Sequence, residues 1–340
     1  MSITDLFRPL ESFQEREASW LIPGFIPSGV LTVMAGDGGS GKSSIWVDLA
    51  ASVSNGRHFF ADPTPPEFCD NIPRKVIFLS SEDSVEVVLH KRLRIAGANM
   101  QNILTASLQD ERFKTLKFNS PDLKTVIEEI RPALVIFDPL QGFTPENVNM
   151  GARNEMRNLL APLVGIGEKT GTAFLVVVHT NKRSGVFGRN RVADSADIWD
   201  FARSVLIVGK TADGKRYLSP EKSNYCELEQ TVIFDIVEGL PQFVERSEMH
   251  DCDFVRQGDF ETKQAPQRTE AEQFITEFLE KGKQPTSELD QAATARGISK
   301  SSLSRAKSQM KKDGRIGYKN LGYGATKQWF IYLIEKELTP

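Results

Sequence analysis

The sequence is poor in cysteine and carries almost no net charge. Its only cysteines, Cys69, Cys226 and Cys252, are far apart and odd in number, which excludes a disulfide framework and gives no metal-ligand spacing. We therefore interpret them as reduced packing residues. A formal net charge of −3 over 340 residues excludes a basic field over the whole surface, so any surface that binds nucleic acid must be local.

Long apolar runs are also absent. No stretch approaches the roughly 20 apolar residues that a membrane-spanning helix needs, and residues 1–17, MSITDLFRPLESFQERE, are charged where a signal peptide is apolar. We expect a soluble, cytoplasmic protein with no membrane partner. Hydrophobic residues nevertheless make up 40% of the chain, which is enough for a buried core.

The apolar residues occur in short runs that alternate with amphipathic stretches from about residue 20 to residue 236. This order is typical of the α/β class, and we predict a doubly wound, mainly parallel sheet. The predicted strands are 30–35, 75–80, 133–137, 172–178, 204–208, 216–219 and 231–236, and the predicted helices include 43–54, 84–96 and 152–169.

The composition changes after Val244. Residues 245–268 are polar and have no period that we can assign, so we interpret them as a linker. A one-sided helical pattern resumes at Ala271. The sequence therefore predicts a domain over 1–244 and a second, small domain over 269–340.

A glycine-rich loop, AGDGGSGKSS at residues 35–44, follows the first predicted strand. Residues 36–43 fit G-x-x-x-x-G-K-[ST] at every position, between the strand and the helix that the motif requires. The loop amides form an anion-binding nest at a helix N-terminus, while Lys42 reaches the β- and γ-phosphates and the Ser43 hydroxyl binds Mg²⁺. We predict ATP and Mg²⁺ as cofactors, with nucleotide-binding residues Gly36, Asp37, Gly38, Gly39, Ser40, Gly41, Lys42, Ser43 and Ser44.

Polar side chains end three further predicted strands. Asp138 follows ALVIF and is the predicted second Mg²⁺ ligand, with a cap of the turn before Pro139 as the alternative. Glu82 follows VIFLSS and is the predicted group that activates water, with Asp83 as its nearest rival. His179 closes LVVV, where we predict a sensor of the γ-phosphate, with a satisfied polar residue as the alternative.

Together, the glycine-rich loop, VIFLSSEDS, LVIFDPL and LVVVHTNKR resemble the RecA-like ATPases over residues 15–240. The resemblance is greatest to the RepA-type and DnaB-type replicative helicases of plasmids, phages and prophages. It implies a RecA-like P-loop NTPase core in which Glu82 activates water and Asp138 holds Mg²⁺. For His179 it implies coupling of the phosphate state to DNA contacts.

The same resemblance suggests two basic residues near the nucleotide. Arg203, in ADSADIWDFARSVLIV, corresponds to an arginine that enters the ATP site of a neighbouring subunit. Lys222, in SPEKSN, stands where related enzymes place a second basic contact. A surface ion pair is the alternative for Arg203.

A basic loop follows the predicted phosphate sensor. Ring motors of the kind that the resemblance implies hold single-stranded DNA through such loops, because phosphate neutralisation needs no base recognition. A solvated surface loop is the alternative. In KRSGVFGRNRV, residues 182–192, the candidate DNA contacts are Lys182, Arg183, Arg189 and Arg191.

The small domain has three helical patterns, 270–281, 286–297 and 299–314, followed by a possible two-stranded wing. It resembles the winged helix-turn-helix tail of many mobile-element ATPases. The third pattern and the wing are locally basic, which favours DNA binding, with protein docking as the alternative. The predicted DNA contacts are Ser302, Arg305, Gln309 and Lys312.

These features predict an ATP-dependent DNA helicase or translocase that assembles as a ring, with a hexamer expected, on single-stranded DNA. We expect it to act in replication of a plasmid, phage or mobile element and to contact duplex DNA through the small domain. An ATP-gated DNA-binding regulator or loader, and a recombination or repair ATPase, are the alternatives.

Overall fold

A computed structural model of the chain describes residues 3–150, 153–181, 186–192, 196–321 and 328–334. The chain divides into two compact units, Met1–Val255 and Arg256–Pro340. Among the described residues, no helix has both the length and the apolar character needed to cross a lipid bilayer.

The first unit alternates strands and helices. Its strands are β1 (Trp20–Ile22), β2 (Ile26–Pro27), β3 (Leu31–Gly36), β4 (Val76–Ser80), β5 (Ile103–Leu104), β6 (Leu134–Asp138), β7 (Ala173–His179), β8 (Ser204–Lys210), β9 (Arg216–Ser223), β10 (Thr231–Val237) and β11 (Leu240–Ser247). Its α-helices are α1 (Lys42–Asn55), α2 (His90–Ile95), α3 (Pro121–Ile130), α4 (Arg153–Thr170) and α5 (Ala196–Phe201). A π-helical turn at Val85–Leu89 precedes α2, and α6 (Asp251–Leu279) contributes residues to both units.

Nine strands form one sheet in the order β11-β10-β9-β8-β3-β7-β6-β4-β5. The six strands β8, β3, β7, β6, β4 and β5 run parallel to one another. The pairs β8–β9, β9–β10 and β10–β11 are antiparallel. Strands β1 and β2 form a separate ribbon. The structure therefore confirms the predicted α/β class with a mainly parallel sheet, and each predicted strand is present.

The side chains of β3 point alternately to the two faces of the sheet, and helices cover both faces. Leu31, Val33 and Ala35 pack in a cluster with side chains from α3, α4 and α5. Met34 points to the opposite face and packs with side chains from α1 and α2. Successive strand residues face opposite sides, so a strand that is buried on both faces is apolar throughout.

Residues 251–268, which form most of the predicted linker, lie within α6, so this part of the chain is helical, and the linker and the domain bounds stay predictions. Asp251 and Phe254 are buried near its start, while Phe274 and Ile275 are buried near its end. The sequence of the middle of this helix, residues 256–270, is mostly polar and has no continuous apolar stripe, so no helical period is visible there.

The second unit consists of the end of α6 followed by β12 (Gln284–Pro285), α7 (Thr286–Ala295), α8 (Lys300–Lys312), β13 (Ile316–Leu321) and β14 (Gln328–Leu333). The three strands pair antiparallel in the order β12-β14-β13. A small core joins the helices to this sheet through Ile275, Leu289, Leu303, Met310 and Ile331.

Candidate functional site

The glycine-rich loop connects β3 to α1. Gly41 precedes the first helical residue with φ 107°, a conformation that glycine adopts without the strain of a Cβ atom. Gly36 is closely packed, because a Cβ there would lie 2.6 Å from the carbonyl oxygen of Val208. A Cβ on Gly38 would meet no atom of the described residues within 4 Å. One side of the loop is therefore packed against the sheet, and the other side is open.

The residues of this loop fit a bound triphosphate. The exposed residues 37–39 present their backbone at the N-terminal end of α1, where the helix dipole favours anions. The buried Ser40 Oγ has no hydrogen-bond partner among the described residues, and Ser43 carries a half-buried hydroxyl in the first turn of α1. Amide and hydroxyl groups of this kind bind phosphate oxygens and Mg²⁺.

Lys42 is buried with its ammonium against the loop. Its Nζ donates to the carbonyl oxygens of Gly36 at 2.7 Å and Asp37 at 3.0 Å. Burial lowers the pKa of Lys42, and the carboxylates of Asp138, Asp37 and Glu82 act in the opposite direction. Because an ammonium has three hydrogens, one remains to bind a phosphate oxygen.

Asp138 lies at the end of β6 and is 8% exposed. The indole Nε1 of Trp46 donates to its Oδ2 at 2.7 Å. Burial raises the pKa of Asp138, as do the charges of Glu82 and Asp83, whereas the Trp46 hydrogen bond and Lys42 lower it. The carboxylate is thus held in place by a neutral donor from α1, next to the ammonium of the loop.

Glu82 faces the predicted phosphate sensor. Its Oε1 lies 3.5 Å from Nε2 of His179. Asp83, the rival of Glu82 in the sequence, lies with its Oδ2 3.3 Å from Nη1 of Arg92 instead. This geometry favours Glu82 over Asp83 as the residue that acts at the site.

The strand register explains why these residues converge. Gly36 pairs with His179 between β3 and β7, and Ser80 pairs with Asp138 between β4 and β6. Because β7 lies between β3 and β6, the carboxyl ends of the four strands form one edge, where open α/β sheets bind ligands. The structure places Lys42 and Glu82 at this edge as well, and their chemical roles stay predictions.

A buried network of hydrogen bonds and ion pairs around Arg191 reaches Asp37 of the glycine-rich loop. Arg191 is 8% exposed, and its Nη2 donates to Asp37 Oδ2 at 3.1 Å while its Nη1 donates to the hydroxyl of Tyr217 at 2.9 Å. The same guanidinium forms an ion pair with the fully buried Asp251, and Tyr217 donates to Asp251 Oδ1 at 2.7 Å. Thr180 donates to the other oxygen of Asp37.

This network corrects the prediction that Arg191 contacts DNA. A guanidinium that is buried against two carboxylates and a phenol has no free face for a phosphate of DNA. Partial burial acts to raise the pKa of Asp37, but the hydrogen bond from Thr180 and the charge of Arg191 outweigh it and lower the pKa. Arg191 therefore holds an ionised loop carboxylate.

The remaining predicted DNA contacts of the basic loop differ in their surroundings. Arg189 is partly exposed and forms an ion pair with Asp200. Lys182 and Arg183 lie outside the described residues. The sequence places both in the segment that joins the end of β7 to the buried Arg191.

Lys222 has a different position from the one predicted. Its Nζ donates to three carbonyl oxygens at the end of α5, those of Trp199 at 2.9 Å, Asp200 at 3.1 Å and Ala202 at 2.7 Å. All three ammonium hydrogens are used, so we correct the predicted nucleotide contact to a cap of the helix C-terminus. Arg203 follows α5 and is exposed, and its role towards a neighbouring subunit stays a prediction.

The predicted DNA contacts of the second unit differ in how exposed they are to solvent. Arg305 and Lys312 on α8 are exposed, and Gln309 is half-buried with its Nε2 2.9 Å from Asp313 Oδ1. Ser302 is buried at 7% exposure, and its backbone N–H donates to the Oγ of the helix-capping Ser299 at 3.1 Å. We therefore correct the prediction that Ser302 faces DNA.

Trp46, which orients Asp138, is not among the residues predicted from the sequence. The structural roles of Arg191 and Lys222 are not among those predictions either. One signal for Trp46 was present, because it follows Lys42 by four residues on a helix and such residues share a face. Nothing in the sequence connects Arg191 with Asp251 or Lys222 with α5, since these contacts join segments that only the fold brings together.

A central parallel strand that leads through a glycine-rich loop into a helix, beside strands followed by carboxylates, is characteristic of the P-loop nucleotide-binding fold. The comparisons with known proteins agree with this class. The chain belongs to the AAA domain family, which matches residues 3–185.

Among curated proteins, the chain is similar to the DNA repair protein RadA of Halalkalibacterium halodurans, with 24% identity over 69% of this chain and 45% of that protein. It is also similar to RadA of Bacillus subtilis, with 22% identity over 73% of this chain and 48% of that protein. The chain spans about half the length of these relatives. A solved KaiC-like protein of Pyrococcus horikoshii OT3 matches 68% of this chain and 99% of its own, with 16% identity and a TM-score of 0.45.

Proposed function

We propose that this chain hydrolyses ATP with Mg²⁺ and uses the energy to move along single-stranded DNA and unwind duplex DNA. The observation that carries the proposal is the convergence of Lys42, Asp138 and Glu82 at one sheet edge, with His179 3.5 Å from Glu82. Its setting would be replication of a plasmid, phage or other mobile element, as the sequence resemblance implies.

In the proposed mechanism, the loop amides and Lys42 bind the β- and γ-phosphates. The Ser43 hydroxyl and the Asp138 carboxylate would hold Mg²⁺, which supplies positive charge to the phosphate oxygens. The exposed carboxylate of Glu82 accepts a proton from the attacking water. His179 Nε2 lies 3.5 Å from Glu82 Oε1, so a change at the γ-phosphate would reach β7 and the basic loop that follows it.

We propose further that the active form is a ring, with six subunits expected, in which the exposed Arg203 reaches the ATP site of a neighbour. Lys182, Arg183 and Arg189 would contact single-stranded DNA. In the second unit, the order helix, strand, two helices and two strands supports a winged helix-turn-helix domain. Its exposed Arg305 and Lys312 would contact duplex DNA.

The proposal is tested by ATP turnover with and without single-stranded DNA. We expect the DNA to raise turnover and Lys42→Ala to abolish it, while Lys210→Ala, an exposed lysine at the end of β8, serves as the matched control. Displacement of one strand of a forked duplex only with ATP supports the motor. Turnover that persists in Lys42→Ala removes the proposed site, and turnover that ignores DNA contradicts the motor.

A recombination or repair ATPase is the second candidate, and the similarity to the DNA repair protein RadA favours it. Both candidates share the ATP site. Electron microscopy of the chain with ATP and DNA separates them when combined with the unwinding assay: rings with strand displacement support the helicase, and filaments without displacement support a recombination or repair role.

A further inference from the structure

The connection between α1 and β4, residues 56–75, is long for a link between a helix and a strand. Its regular structure is the short 3-10 turn Pro66–Phe68, and long connections of this kind in compact domains are usually functional or disordered. Both ends of this one are fixed to the end of α1. The backbone N–H of Arg57 donates to the Ser52 carbonyl at 2.9 Å, and that of Arg74 donates to the Val53 carbonyl at 3.0 Å.

Three side chains of different chemistry meet inside this connection. His58, Asp62 and Cys69 each place one potential ligand atom so that all three atoms lie within 4.8 Å of one another. All three residues are half-buried. They supply one nitrogen, one oxygen and one sulfur, from positions that are separated along the chain and brought together by its turns.

One residue orients two of the three side chains. The backbone N–H of Thr64 donates to Asp62 Oδ1 at 2.8 Å, and the carbonyl oxygen of Thr64 lies 2.9 Å from His58 Nε2. Because a carbonyl oxygen only accepts, Nε2 must carry the ring proton, and this leaves the lone pair of Nδ1 free to bind a metal. Metal-binding histidines usually donate their second ring nitrogen to a carbonyl or carboxylate in this way.

The charges around the cluster favour a cation. The carboxylates of Asp62, Asp70 and Glu67 lie around the Cys69 sulfur, so its surroundings are negative. The two nearby guanidinium groups are already paired, Arg57 with Asp48 and Arg74 with Asp70. A divalent cation would balance one thiolate and one carboxylate.

We propose that His58, Asp62 and Cys69 form a zinc site that clamps the connection between α1 and β4. The thiolate and imidazole select Zn²⁺ over Mg²⁺ and Ca²⁺, which prefer oxygen ligands, and a water molecule completes a tetrahedral set. Zinc-ligand bonds of about 2.0–2.3 Å place the ligand atoms roughly 3.5 Å apart. Because the three atoms already lie within 4.8 Å of one another, binding would draw them together by at most about 1 Å.

This site is distinct from the ATP site. It follows the C-terminal end of α1, whereas the glycine-rich loop precedes the N-terminal end. The 14 residues of α1 separate the two by about 20 Å at 1.5 Å per residue. The proposal therefore does not depend on the proposed function, and its test can use metal binding and stability in place of turnover.

The experiment uses the full chain without a histidine tag, stripped of metal with a chelator and titrated with Zn²⁺ against a chromophoric competitor. We expect about one Zn²⁺ per chain, with affinity reduced at least 100-fold in Cys69→Ser and His58→Ala. Cys226→Ser and His90→Ala are the matched controls and should bind as the unaltered chain does. Co²⁺ in place of Zn²⁺ should give a tetrahedral spectrum with a sulfur-to-cobalt charge-transfer band, which Cys69→Ser loses.

Zinc should also raise the midpoint of thermal unfolding of the unaltered chain, since a ligand that binds the folded state stabilises it. A stripped chain that takes up no stoichiometric Zn²⁺, or a Cys69→Ser variant that binds it equally well, overturns the proposal. If Cys69→Ser fails to fold, the Co²⁺ spectrum of the unaltered chain decides alone. A spectrum without the charge-transfer band then overturns the site.

Discussion

The carboxylate of Asp138 is buried and lies near the ammonium of Lys42. Trp46 donates a hydrogen bond to this carboxylate and holds it in that position. The indole gives the ionised form of Asp138 a hydrogen bond without adding a charge. The carboxylate is thereby held from α1, the helix that follows the glycine-rich loop.

Trp46→Phe should destabilise the protein by about 1–3 kcal/mol, since a buried carboxylate loses its donor. The loss also raises the pKa of Asp138 further above its ordinary value of 3.8. When the pKa of a carboxyl group is higher in the folded state than in the unfolded state, the free energy of unfolding falls as pH rises through the folded-state pKa. Denaturant unfolding at about pH 5 and about pH 8 should therefore show the greater cost at the higher pH, and the cost should shrink in an Asp138→Asn background. An equal cost at both pH values in both backgrounds would argue against this contact.

Glu82 and its neighbour Asp83 allow a matched comparison at the site. Glu82→Gln should lower ATP turnover by about 10²–10⁴-fold, the usual range for a lost general base, while nucleotide binding persists. Asp83→Asn should stay within a few-fold of the unaltered chain, because Asp83 pairs with the exposed Arg92. Steady-state kinetics and nucleotide-binding titrations check both variants, and the reverse order of the two effects would reassign the base.

At the scale of elements, the buried network ties three segments of the chain together. Arg191 lies in the turn Gly188–Arg191, Tyr217 in β9 and Asp251 at the first residue of α6. The ring of Tyr217 also stacks on Phe254 of α6 at 4.4 Å. The glycine-rich loop joins the same network through Asp37, so the loop and the start of α6 share one guanidinium.

Two arginines of the same turn should therefore differ strongly in their effect on stability. Arg191→Met leaves the buried carboxylate of Asp251 without its ion-pair partner and should cost about 3–5 kcal/mol. Arg189→Met removes a largely exposed pair with Asp200 and should cost about 0–1 kcal/mol. Denaturant unfolding of the two variants measures the difference. Similar costs would mean that the network is not held in the folded protein.

The central strands could be predicted from the sequence because their apolar runs, such as ALVIF before Asp138, are buried on both faces. The convergence of Asp138, Glu82 and His179 followed from the rule that parallel strands end at one edge. Edge strand β11 was missed because only one of its eight residues, Pro241, is buried, so it carries no buried pattern. The roles of Arg191 and Lys222 were missed for another reason: their partners are distant in sequence, and only the folded chain brings them together.

At the scale of the whole molecule, the sequence concentrates positive charge in the second unit, although the chain as a whole has a net charge of −3. In the proposed function this unit supplies contacts to duplex DNA, which depend on salt because each phosphate contact releases counterions. The contribution of each unit to duplex binding can therefore be tested by removing positive charges from one unit at a time in the intact chain.

The double variant Arg305→Ala with Lys312→Ala should lower duplex affinity and reduce the slope of log affinity against log salt by about 2, or about 1 for each phosphate contact. Arg112→Ala with Lys114→Ala removes two exposed positive charges from the first unit and is the matched control. Fluorescence anisotropy over a range of salt concentrations gives the slopes. If the control variant changes the slope as much as the test variant does, the second unit has no special part in binding.

The central claim is that the loop at residues 36–43 binds a triphosphate beside Asp138. A structure of the chain with Mg²⁺ and a non-hydrolysable ATP analogue tests it most directly. The account predicts the β- and γ-phosphates within the loop amides, Lys42 on their oxygens, and the cation between the Ser43 hydroxyl and the Asp138 carboxylate. A triphosphate bound elsewhere, or a cation remote from Asp138, would contradict it.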